Sequence, residues 1–75
     1  MKLDPAIVAA GVKVWLACNR HARCRYKYAD RPSDKGRSAP LAANVDVLLQ
    51  SHGITDLDLW CEYAQEISRQ ARSLT

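Results

Sequence analysis

The sequence predicts an all-α fold, a small three-helix bundle with a long first helix, in a single domain of 75 residues. Three observations predict it. Apolar residues recur at helical spacing in three stretches. Each stretch opens on a helix-start signal. One interval rich in Pro, Gly and short polar residues, 30–38, is the only obvious linker.

The first helix is expected over residues 4–29. Asp4 can cap it, and Pro5 at the first helical position loses no hydrogen bond. Leu3, Ile7, Ala10, Val14 and Cys18 form an apolar stripe, widened by Gly11, Trp15 and Ala22. On a continuous helix Lys13, Arg20, Arg23 and Lys27 share an arc of roughly 80°. Tyr26 and Tyr28 mark where the helix leaves the core. Val12 and Leu16 lie near the basic arc and are expected to be exposed, a hint of self-association or a partner groove.

A second helix is expected over 39–52, with Pro40 in its first turn. Leu41, Val45, Leu48, Leu49 and His52 follow its spacing, and Gly53 is placed to end it in the left-handed conformation. His52 near the C-terminus suits the helix dipole when protonated. The third helix, 55–73, takes Thr55 as N-cap and Asp58 as its capping-box partner, with Ile54 stapled onto Leu59. Trp60, Ala64, Ile67, Ala71 and Leu74 step along one face, and Leu57, Cys61 and Tyr63 widen it. Asp56, Asp58 and Glu62 lie early and Arg69 and Arg72 late, matching the dipole at both ends. No sheet is expected.

A chain this short has a modest core, and with no Phe the burial falls to Trp15, Trp60 and the aliphatic residues. A homodimer would be a natural reinforcement. Net charge is +3, unevenly placed: residues 20–37 hold seven basic side chains against Asp30 and Asp34, a local +5 that leaves −2 for the rest. Such a field attracts phosphates or an acidic protein face.

Three cysteines, an odd number, argue against a disulfide framework and for a reducing cytoplasm. The apolar run from Ala6 to Cys18 contains Lys13 and bulky Trp15 and follows Asp4, which argues against a signal peptide. The run is also too short for a membrane span.

Cys18, His21 and Cys24 are spaced three apart, with His52 and Cys61 elsewhere. On a continuous helix the three fan over roughly 120° and about 9 Å of axis, too far for one zinc ion to take all of them. Cys24–His21 and Cys61–His52 lack a third orienting group, and no catalytic motif is present. The sequence therefore calls for no enzyme, no metal and no cofactor. Leu49 to Glu62 has the outline of a helix-turn-helix, but Asp56, Asp58 and Glu62 would face phosphates, so a plain helical hairpin is the better reading. Arg23-Cys24-Arg25-Tyr26-Lys27-Tyr28 interleaves cations and aromatics, a combination suited to phosphates and stacked bases.

These features lead to a non-enzymatic helical binding protein that occludes or bridges a larger host complex, an inhibitor or adaptor. Compact motif-free domains of this size are often encoded by phages and mobile elements, and anti-CRISPR or other anti-defence inhibitors are of this kind. The expected contact surface is Arg20, Arg23, Tyr26, Lys27, Tyr28, Arg31, Lys35 and Arg37, with a tyrosine as anchor. The partner would be a protein or nucleoprotein complex. The alternative is direct nucleic-acid binding by the same surface, as a helix-turn-helix-shaped or dimeric regulator. No membrane partner is expected.

Overall fold

A computed structural model describes residues 3–20, 28–37 and 40–74. The expected fold class holds, with three helices among the described residues packed around one core. Helix α1 runs Pro5–Arg20, α2 Ala43–Ser51 and α3 Leu57–Leu74; strands β1 (Tyr28–Asp30) and β2 (Pro40–Ala42) lie between α1 and α2. At 18 residues α3 is the longest of these helices, against 16 for α1.

Both ends of the expected first helix can be compared with the structure. Its start is as read: Asp4 Oδ1 accepts the Ala6 N–H at 2.9 Å, the Asp4 carbonyl accepts from Ile7 and Val8, and Pro5 opens the helix. Its end is not. Tyr28–Asp30 are a strand, so a continuous helix to Ala29 is excluded. The strand pairs antiparallel with β2 in the register Tyr28↔Ala42, Ala29↔Leu41 and Asp30↔Pro40. Ala29 is a good helix former, yet here burial of Leu41 and Ala42 in the core decides the local structure. The ladder is three residues per strand, a clasp on a helical fold.

The buried side of α1 is also turned about a quarter of a revolution from the expected stripe. Val8, Gly11 and Val12 are buried, while Ile7, Val14, Trp15 and Leu16 are partly buried against the core. Val12 and Leu16 are therefore core residues, not an exposed patch. The reason is at Gly11. A Cβ placed there would lie 2.4 Å from Cδ1 of Ile67, so α1 makes its close approach to α3 through this glycine. A stripe of larger residues on the expected side cannot come as near.

Helix α2 begins four residues later than the sequence suggests, because Pro40 sits in β2 and not in a helical turn. Proline fits an edge strand as readily as a helix start. The end of α2 is as read. Gly53 has φ +79°, its N–H donates to Gln50 O, and Ile54 N–H donates to Leu49 O, the two bonds of a Schellman motif. His52 is exposed at this terminus, and Val45 and Leu49 are buried.

The cap of α3 is Asp56, one residue after Thr55. Its Oδ1 accepts the Asp58 N–H at 3.1 Å and its carbonyl accepts from Trp60. Trp60, Cys61, Tyr63, Ala64, Ile67 and Ala71 form the buried face, and Leu74, expected to extend it, is 68% exposed. The Tyr63 hydroxyl accepts the Asp4 N–H at 2.8 Å and fastens the start of α1 to the middle of α3.

Candidate electrostatic site at the hairpin tip

Between the strands the chain closes on itself. Ser33 N–H donates to Arg37 O at 2.7 Å, and Gly36 N–H donates to Ser33 O at 3.0 Å. The Ser33 hydroxyl, buried, accepts the Arg37 N–H at 3.0 Å. Gly36 takes φ +74°. This is a three-residue hairpin loop with a left-handed glycine at its third position. Ser33 and Arg37 face each other on the same register as the β1–β2 ladder. Asp34-Lys35-Gly36, within the interval expected as a linker, thus form the turn of a hairpin.

The tip lies against α2 and α3 and is fastened there in two ways. Cys61, fully buried on α3, places its thiol 3.6 Å from Arg31 O and 3.5 Å from Arg37 O, so it donates to either end of the loop. The second fastening is ionic. Arg31 reaches Asp46 at 3.6 Å, Lys35 reaches Asp58 at 3.9 Å, and Arg37 reaches Glu62 at 3.6 Å. The three cationic side chains are 41%, 72% and 49% exposed respectively. Pairs this exposed and this long contribute about 0–1 kcal/mol each.

Asp46 does more than hold Arg31. Its Oδ1 accepts the indole N–H of fully buried Trp60 at 2.7 Å, and its Oδ2 accepts from Gln50 at 3.1 Å. Asp58 is less well provided. Oδ1 is enclosed and has no hydrogen-bond partner, leaving Oδ2 to face Lys35.

Of the expected contact residues, Arg31, Lys35 and Arg37 are brought together on this one tip. Arg20 is the last residue of α1 and Tyr28 the first of β1. Arg23, Tyr26 and Lys27 lie outside the described residues, as do His21 and Cys24 of the metal constellation. The expected helix does not reach Ala29, since the chain is a strand from Tyr28. Asp46, Asp58 and Glu62 went unrecognised as members of the site. The only sequence signal for them was their sign and helical spacing, because the pairings span 15 to 25 residues of chain.

Among the described residues no group of three His, Cys, Asp or Glu side chains is placed to hold a metal ion. An apolar groove of about 370 Å³ lies beside the start of α1, lined by Leu3, Pro5, Val8, Ala9 and Gln70, and it contains no titratable side chain. The turn that a helix-turn-helix would insert into DNA, at the start of α3, is flanked by the hairpin. No known protein family, curated protein or solved structure matches this chain significantly. Among the described residues no helix is long and apolar enough to cross a membrane.

Proposed function

We propose that this chain is a small cytoplasmic binding protein without catalytic activity, an inhibitor or adaptor that occludes a larger protein or nucleoprotein complex. Contact is made through the basic-aromatic segment from Arg20 to Tyr28 and the hairpin tip that follows it. The observation carrying this reading is the tip itself. Arg31, Lys35 and Arg37 stand partly exposed on a loop closed by three hydrogen bonds, so their positions are set before a partner arrives. Preorganisation of this kind lowers the entropic cost of binding.

The same geometry favours a protein partner over nucleic acid. Asp46, Asp58 and Glu62 lie among the cations, giving a surface of alternating sign. A polyanion with evenly spaced phosphates meets repulsion there, whereas a protein face can match both signs.

The test is recovery of a partner from host lysate by wild type and by a Lys35→Glu/Arg37→Glu variant, with Arg20→Glu/Arg23→Glu/Lys27→Glu as a second variant. Loss of the same partner in either variant supports the proposed face; equal recovery by all three proteins refutes it. Binding to DNA or RNA that weakens steeply with salt would put the nucleic-acid reading first.

A further inference from the structure

We infer that the hairpin tip is a self-masked surface whose partner is an acidic helical segment carrying carboxylates four residues apart. This rests on the proposed binding role of the tip and adds what the tip recognises and what holds it in reserve.

The argument starts from spacing. Asp58 and Glu62 are one helical turn apart on α3, about 6 Å along the axis. They face Lys35 and Arg37, which lie on either side of Gly36 at the tip. The chain's own α3 therefore presents to the tip a pair of carboxylates at i and i+4, and the tip's cations are spaced to meet it. An external helix with the same two carboxylates satisfies the same two cations.

Displacement is easy for three structural reasons. The pairs are long, at 3.6 and 3.9 Å, and both cations are about half exposed or more. The Asp58 carboxylate is incompletely satisfied, since its Oδ1 has no donor. And the loop backbone is held by its own turn and by Cys61, so a cation can change partner without the tip unfolding. Arg31 lies outside this pairing: it approaches Asp46 on α2, a carboxylate that also accepts the Trp60 indole N–H.

Neutralising the masking carboxylates should therefore strengthen binding, not weaken it. The probe is a synthetic helical peptide with Glu residues four apart, measured by fluorescence anisotropy at low salt. Wild type is compared with Asp58→Asn/Glu62→Gln and with Glu66→Gln, which raises net charge on α3 but removes a carboxylate that pairs with Arg69 instead of the tip. The double variant should bind the peptide roughly 3- to 10-fold more tightly than wild type, the scale of one or two surface pairs. Glu66→Gln should change affinity much less. Asp58 lies in the first turn of α3, so Glu62→Gln alone, in mid-helix, is measured beside it and should show a smaller gain in the same direction. An equal gain in Glu66→Gln, or no gain in either masking variant, overturns the masking while leaving the cationic contact face standing. No binding by any of the proteins overturns both.

Discussion

The indole N–H of Trp60 donates to Asp46 Oδ1 at 2.7 Å, and that carboxylate is also the one Arg31 approaches. One acid thus joins α2, α3 and the hairpin. The largest side chain in the core has its only polar atom satisfied by a residue that also faces the surface charge.

Removing that acceptor leaves a buried donor unmet. Asp46→Ala should lower stability by about 1–3 kcal/mol, the cost of stranding a buried hydrogen-bonding group. Asp46→Asn keeps an oxygen for the indole and should lose clearly less. Urea denaturation followed by helical circular dichroism measures both; equal losses would show that the indole contact is unimportant.

Gly11 and Ile67 define the crossing of α1 and α3. Gly11→Ala gains helix propensity of just under about 1 kcal/mol but forces a methyl against a fully buried isoleucine. Overpacking of about 1–3 kcal/mol should win, leaving a net destabilisation. Ile67→Val removes Cδ1, the nearest atom, so the double variant should be more stable than the sum of the single losses. A double-mutant cycle by thermal or chemical unfolding decides it, and strict additivity would disprove the clash.

Gly36 has φ +74° and nothing within reach of an added Cβ, so a substitution there tests backbone conformation alone. Gly36→Ala should cost about 1–2 kcal/mol through the left-handed backbone, with Gly36→Asn milder. The effect should appear first as faster amide exchange at Ser33, Gly36 and Arg37, whose N–H groups close the tip, while the helices keep their protection.

Glu66 responds to acid. Hydrogen bonds first from Arg69 and then from Gln70 hold its carboxyl at about 2, down from an ordinary 4.5, against an opposing effect of burial, with the Arg69 charge adding last. A depressed folded value means that the interaction stabilises the protein above pH 4.5 and fades as pH falls through about 2. The carboxyl titration followed by NMR should show a low midpoint that moves up in Arg69→Gln. Glu66→Gln should flatten the decline in melting temperature over the same acid window, by a small amount because the pair is at the surface.

The start of α1, the glycine stop after α2 and the buried face of α3 were legible in the sequence because each depends on neighbours within a turn or two. Asp4-Pro5, Gly53 and the run Trp60, Ala64, Ile67, Ala71 need no distant information. The errors at Thr55 and Pro40 are shifts of a cap and of a helix start, where two residues offer the same local chemistry. The hairpin was hidden for another reason. Three-residue strands are too short for alternation to register, and Lys27 and Ala29 favour a helix as isolated residues. The usable signal was Ser33-Asp34-Lys35-Gly36-Arg37, a three-residue loop with glycine in its third place, followed by a proline fit for an edge strand. At the site, the cations of the tip were identified from sequence, but their carboxylate partners were not. Asp46, Asp58 and Glu62 look like dipole and surface charges until tertiary packing sets them opposite the hairpin.

Leu41 and Ala42 at the foot of the hairpin are sealed in the core, whereas Asp34 and Lys35 at its crest are exposed, with Lys35 reaching the scaffold through a long ion pair to Asp58. Under the proposed role, folding and recognition are written in different letters of the same short segment. On that reading, substitutions at the crest can change what is bound at little cost to the scaffold beneath it.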